Sequence, residues 1–255
     1  MMPIFPRDEE LCTRIPIHVR LRRGIAKAPQ LEVMSTNGCS VKIPISVPAE
    51  CAHDDVRRTM ENIVREQNAD LTGVALDRKI VLHVQSPNVP TLDLVDLPGV
   101  VAAAVDGEPS NMPEQTKNLV QRHIRTHKDR SVFLACVDAP TAPNSSIALQ
   151  ILVDQQVLDQ AIGVITRCDY AVAPQQKEKI RKRLSLEAGS DAVKLKHGYV
   201  ATMNAPVVGG DLSNLQRLQQ QADQELDFFS DYLPSETNPS TTTIALLSRV
   251  EAMFL

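Results

Sequence analysis

The sequence predicts an α/β domain with a mixed, mainly parallel sheet and helices on both faces. Three observations point there. After Gly99, short apolar runs alternate with stretches of helical length, the pattern of parallel strands joined by crossover helices. Two of those runs, 132–137 and 161–165, are continuously apolar, as buried parallel strands are. Before Gly99, period-two alternation and Asn37-Gly38 between short apolar runs signal antiparallel pairing, which makes the sheet mixed.

Taken in order, residues 15–21 alternate and read as a strand, with Pro16 placing them at a sheet edge or a strand start. Residues 22–52 read as a hairpin excursion. Met60, Ile63, Val64 and Gln67 lie at helical spacing within a helix at 54–68, which Asp54 or Asp55 can cap. Residues 79–85 and 91–95 read as strands; so short a link suits an antiparallel pair. Helices follow at 113–126, 145–158, 174–186 and 211–229, with strands at 132–137, 161–165 and 199–203. Residues 235–243 are polar and linker-like. Residues 244–255 are amphipathic, with Leu246, Leu247, Val250, Met253 and Phe254 on one face.

Composition narrows the function classes. The 255 residues are 43% hydrophobic with a formal net charge of -4, so no basic excess favours nucleic acid. No apolar run approaches the ~20 residues of a membrane span. Residues 1–7 lack the basic region and long apolar stretch of a signal peptide, so the expectation is a cytoplasmic protein. Cys12, Cys39, Cys51, Cys136 and Cys168 are odd in number and form no C-x-x-C pair, which reads as buried thiols in a reducing compartment. His123 and His127 are four apart without H-E-x-x-H, and Lys177, Lys179, Arg181, Lys182 and Arg183 form a basic run; both read as solvated helix faces.

The chemistry-bearing motifs stand at strand ends. Asp96-Leu97-Pro98-Gly99 closes the strand at 91–95, where ligands of open α/β sheets bind. An aspartate there can hold magnesium through water, and a glycine lets a backbone N–H approach a phosphate. Thr166-Arg167-Cys168-Asp169 closes a buried strand 73 residues after Asp96 (169 − 96 = 73), and Asn204 follows the next strand. A carboxylate at Asp169 can accept hydrogen bonds from guanine N1–H and its exocyclic amine, a donor pair that adenine lacks.

These motifs together resemble the G domain of dynamin-type large GTPases, over residues 3–232. Residues 80–99 and 161–169 carry the resemblance most specifically. Further matches are Gly198-Tyr199-Val200-Ala201-Thr202-Met203-Asn204, Glu108-Pro109 with the helix that follows, and Phe228-Phe229. Phe5-Pro6-Arg7-Asp8-Glu9-Glu10-Leu11-Cys12-Thr13-Arg14-Ile15-Pro16 is similar to the family's switch segment, with Asp8 and Glu10 where the family has glycines. Arg167 stands where the family usually has lysine.

The resemblance implies a P-loop GTPase-like fold. It also implies GTP and Mg2+ as ligands, with a monovalent cation that Asp8 and Glu10 disfavour. In the implied site, Thr13 closes over magnesium and the attacking water. Asp96 holds the metal, Gly99 contacts the terminal phosphate, and Thr166, Arg167, Asp169 and Asn204 form the base and ribose side. No G-x-x-x-x-G-K-[ST] occurs in the sequence. The expectation is therefore a partial G domain at 1–232, missing its first strand and P-loop helix, followed at 233–255 by a linker and the start of a helix. By resemblance the activity is GTP hydrolysis linked to membrane remodelling, weakened in this chain. The partners implied are GTP or GDP, a second copy across the nucleotide face, and a membrane or cytoskeletal surface. The alternative is a non-catalytic interaction protein derived from such a domain.

Overall fold

The computed structural model describes residues 14–35, 37–43, 52–69, 73–187, 189–204, 214–233 and 240–254. The chain forms two compact units, Met1–Arg122 and His123–Leu255.

The first unit holds β1 (Ile17–Arg23), β2 (Gln30–Ser35), β3 (Ser40–Ile43), α1 (Ala52–Ala69), β4 (Arg78–Ser86) and β5 (Leu92–Asp96). The strands form one sheet in the order β3-β2-β4-β1-β5. β1 pairs parallel with β4 and antiparallel with β5, and β2 pairs antiparallel with both β3 and β4. Alternation gives each strand a buried side: Ile17, Val19, Leu31, Ile80 and Leu82 pack with Met60, Ile63 and Val64 of α1 in one core. The opposite side carries His18, Arg20, Arg22, Lys79 and His83 in matching register.

Two expectations change here. The strands at 79–85 and 91–95 are not a paired hairpin, because β1 lies between them. The five residues from Pro87 to Thr91 are long enough to cross two strand spacings of ~4.8 Å each. Pro16 stands at the strand start, as read, immediately before β1, although β1 is an inner strand; the Pro16 carbonyl accepts from Ile80 N–H at 2.9 Å. α1 begins at Ala52, so Asp54 and Asp55 lie inside its first turn. The Asn37-Gly38 turn forms as expected: Gly38 has φ 86°, and Asn37 Oδ1 accepts from Cys39 N–H at 3.1 Å.

α2 (Met112–His127) leads to the second unit, which holds β6 (Phe133–Asp138), α3 (Ile147–Asp154), β7 (Ala161–Thr166), α4 (Pro174–Ser185), β8 (Tyr199–Ala201), α5 (Asn214–Tyr232) and α6 (Thr243–Met253). Its sheet, β6-β7-β8, is wholly parallel. β7 is the central strand, and Ala161, Ile162, Gly163, Val164 and Ile165 are all buried. β6 is less covered than its apolar sequence suggests. It pairs only with β7 among the described residues, and Leu134 is 46% exposed on a face shared with Cys136. Cys39 and Cys136 are exposed thiols, and only Cys168 of the three described cysteines is buried.

Arg183 corrects the reading of the basic run. The side chain of Arg183 is 2% exposed and donates to Asp191 through Nε and a terminal N, each at 2.8 Å. Its other terminal N donates to the Ala139 carbonyl at 2.9 Å. A helix surface always has a side that faces the core, and here the fifth cation of the run falls on it together with Ile180 and Leu184. No described helix is long and apolar enough to cross a membrane.

Two outcomes follow for stability. A Cβ on Gly163 would stand 2.1 Å from the Tyr199 ring, against its register partner. Gly163→Ala is therefore expected to lower unfolding stability by about 3 kcal/mol in a urea titration. Asp191→Asn strands a buried guanidinium and is expected to cost about 3 kcal/mol at neutral pH. The Arg183 hydrogen bonds hold the Asp191 carboxyl below its ordinary range. Its contribution is thus complete above about pH 5 and is lost as pH falls through the folded-state value, below ~4. The wild type should lose stability through that acid window more steeply than Asp191→Asn.

Candidate functional site

In the first unit Asp96 is the last residue of β5, beside Ile17 of β1, and is half-buried. Leu97 is half-buried, Pro98 is buried, and Gly99 is exposed. The apolar residues before Asp96 seat β5 on the core and so fix where its carboxylate emerges. Arg14, three residues before Ile17, donates to Glu108 Oε1 at 2.9 Å, and Glu108 also accepts from Val105 N–H at 3.2 Å. Thr13 lies outside the described residues.

In the second unit the parallel register places the ends of β6, β7 and β8 side by side. Asp138 is opposite Thr166. Thr166 Oγ1 donates to Asp138 Oδ1 at 2.9 Å, and Arg167 donates to Asp138 Oδ2 at 3.2 Å. Arg167 has φ 57° and ψ 42°, a left-handed conformation that costs a non-glycine residue about 1 kcal/mol. Its guanidinium lies 4.4 Å from the centroid of the Tyr170 ring, so the ion pair and the ring contact together fix the turn.

That turn opens a single 3-10 stretch, Cys168–Tyr170. Cys168 points inward, and its thiol donates to the Ile165 carbonyl at 3.6 Å. Burial pushes the thiol up to about 12, which makes it a packing peg and not a nucleophile. With Cys168 turned in, its neighbour Asp169 is turned out. Asp169 is exposed and forms no hydrogen bond with a described residue.

The loop after β8 adjoins this turn. Thr202 N–H donates to the Ile165 carbonyl at 2.8 Å, and Cys168 N–H reaches the Thr202 carbonyl at 3.5 Å. Met203 N–H donates at 2.9 Å to Glu225 of α5, a carboxylate 3% exposed that also accepts from Thr243 N–H at 2.7 Å. Asn204 follows, exposed.

The structure thus brings Thr166, Arg167, Asp169 and Asn204 to one end of one parallel sheet. Asp96 and Gly99 stand at a strand end in the other unit. Sequence reading missed Asp138, Arg183, Asp191 and Glu225. Asp138 carried a signal: it closes an apolar strand, as Asp96 does.

No described group of three His, Cys, Asp or Glu side chains gathers as a metal cage. Magnesium does not require one. It keeps several waters and binds through one or two carboxylates plus substrate phosphates, and a single half-buried aspartate at a strand end fits that role.

Comparison with known proteins places the sequence in a family. A model described as "Dynamin family" matches residues 2–168. The chain is 24% identical over 235 residues to an interferon-induced GTP-binding protein Mx of Perca fluviatilis, covering 91% of this chain and 72% of that protein. It is 27% identical over 219 residues to dynamin-related protein 4C of Arabidopsis thaliana, covering 85% of this chain and 29% of that one. To Mx1 of Mus musculus it is 28% identical over 167 residues, 64% of this chain and 25% of the relative. The chain therefore spans under a third of the length of some relatives and most of another. With two thirds of its residues matched by the family's model, the chain belongs to the dynamin family and carries its type of GTPase domain.

Proposed function

We propose that this chain binds GTP and GDP with magnesium and is the G-domain portion, residues 1–232, of a dynamin-like protein, with 233–255 leading into a further helix. The observation that carries the proposal is Asp169, turned to solvent at the end of β7 by a left-handed Arg167 and an inward Cys168. A carboxylate so presented keeps its acceptor capacity for a ligand, and guanine offers the matching pair of donors.

Each residue then has a role. Asp169 selects the base. The aliphatic stem of Arg167 lies along the nucleotide while its head stays on Asp138, in the place of a family lysine. Thr166 holds Asp138 in position, and Asn204 lines the same side. Asp96 holds magnesium through water, Gly99 offers its amide to the terminal phosphate, and Thr13 closes over metal and water. Bound magnesium supplies charge neutralisation on the phosphate oxygens.

The 255 residues contain no G-x-x-x-x-G-K-[ST], the segment that cradles the diphosphate. Asp8 and Glu10 add negative charge near the implied phosphates and disfavour a monovalent cation. On both grounds we expect hydrolysis by these residues alone to be slow. Relatives named as GTP-binding and dynamin-related support the guanine-nucleotide reading; self-association across the nucleotide face and remodelling of a membrane from the cytoplasmic side extend the proposal. The second reading, an interaction protein that has lost nucleotide, rests on the same missing segment.

Calorimetry with GTP, magnesium and potassium separates the two. Measurable guanine-nucleotide binding is expected; its absence favours the interaction protein. Asp169→Asn replaces an acceptor by a donor, so it should weaken GTP about a hundredfold while improving xanthosine triphosphate, whose C2 carbonyl accepts. Equal loss of both nucleotides would remove Asp169 from base selection.

A further inference from the structure

The sheet of the first unit has an apolar side against α1 and a second side with an unusual density of positive charge. Register places Arg20 beside His83 and Asp93, and Arg22 beside Gln85. Lys79 stands on the same side, two residues from Val81, itself the partner of His18. The acids on this side are Glu32 and Asp93, and both are engaged. Glu32 bonds His83 at 2.8 Å, and Asp93 accepts from Arg22 at 2.6 Å. Arg20 and Lys27 form no ion pair with a described residue.

At the end of β1 and β4 this side is hollowed into a cavity of about 310 Å³, lined by Arg20, Arg22, Lys27, Gln30, His83 and Gln85 among others. Its wall is built. Gly24 N–H donates to the Ser86 carbonyl at 3.2 Å and Lys27 N–H to the Gln85 carbonyl at 3.1 Å, so the segment after β1 is tied over the end of β4. A Cβ on Gly24 would stand 2.6 Å from the Gln85 side-chain amide, so the two pack closely at this end.

We propose that this cavity binds a phosphate-bearing anion, a phosphomonoester on either a soluble molecule or a lipid headgroup. Arg20 and Lys27 supply two charges with no salt-bridge partner among the described residues, Arg20 lying beside an Asp93 that is already bonded to Arg22, and a phosphomonoester carries ~1.5 to 2 negative charges near neutrality. Two glutamine amides add neutral donors, and the planar arginine forks match phosphate oxygens. Burial, and after it the charge of Arg20, lowers the proton affinity of the Lys79 amine on this side. An anion in the cavity would offset that charge.

This site is separate from the nucleotide residues. Asp96 pairs with Ile17 at the start of β1, whereas Arg22 stands near its end. Five residues of extended strand put them ~17 Å apart along β1.

The test is binding of the 255-residue chain to inorganic phosphate and pyrophosphate by calorimetry. Alongside it runs flotation with phosphatidylcholine vesicles containing phosphatidic acid, or phosphatidylserine at equal charge. Arg20→Gln and Lys27→Gln are each expected to weaken phosphate-group binding about tenfold, the effect of one charge-assisted contact. They should leave the unfolding midpoint and GTP affinity unchanged. Binding of the soluble anions supports a soluble ligand. Flotation with phosphatidic acid in excess of phosphatidylserine, without soluble binding, supports a headgroup. The proposal is overturned if neither probe binds, if both vesicle types bind equally and soluble anions do not, or if the double variant keeps wild-type affinity. Asp169→Asn should not alter phosphate binding, so this outcome is independent of the nucleotide reading.

Discussion

The geometry of the second unit hangs on one buried guanidinium. Arg183 uses three donor groups, two on Asp191 and one on the Ala139 carbonyl. A charge taken so far from water is tolerated only if its hydrogen-bond capacity is filled. Because one acceptor is a backbone oxygen, the charge fixes the path of the main chain just beyond β6. Ala139 N–H in turn donates to the Thr166 carbonyl at 2.8 Å, extending the parallel register one step past the strand ends. Asp138 is the residue before Ala139, so its carboxylate is delivered to Thr166 and Arg167 by an interaction it does not itself make.

A second buried charge acts the same way on the neighbouring loop. Glu225 accepts from Met203 N–H, Thr243 N–H and Thr243 Oγ1. It ties the chain after β8 to the start of α6 from a helix twenty residues away in sequence. Arg249 of α6 adds donors to the carbonyls of His197 and Tyr199, both at 2.9 Å. Loops at strand ends lack ladder partners, so each backbone group must find another. Here ionised side chains on α4, α5 and α6 supply them. Aromatic packing of Phe228, Phe229 and Tyr232 seals the C-terminal part of α5, and the Tyr232 hydroxyl donates to the Ala171 carbonyl beyond the Asp169 turn. Burial raises that hydroxyl well above the ordinary tyrosine range, so it stays a donor at any physiological pH.

What could be read from sequence was local. Continuous apolar runs announced β6 and β7, Asn37-Gly38 announced its turn, and Asp96 and Asp169 were placed at strand ends by the apolar residues before them. What escaped was set by partners distant in the chain. The insertion of β1 between β4 and β5 depends on pairing energies along whole strands, which a five-residue link neither requires nor forbids. Arg183 was indistinguishable from its basic neighbours, because only the position of Asp191 and Ala139 in space decides which cation is drawn inside. Cys168 was placed correctly as a buried thiol, since a small apolar side chain after a buried strand has nowhere better to go. Cys136 was not: it alternates to the uncovered side of β6.

The two units handle positive charge in opposite ways. In the second, Arg183 is neutralised by its own chain and carries structure. In the first, Arg20 and Lys27 line a cavity and form no ion pair with a described residue, while Arg22 bonds Asp93 and His83 bonds Glu32. Like charges a few ångströms apart on a sheet face oppose folding, and the opposition is strongest where water is partly excluded. Neutral polar residues would cover that side equally well and without repulsion. A fold that keeps the repulsion stores binding energy for an anion, since the ligand that enters removes a strain that folding left in place.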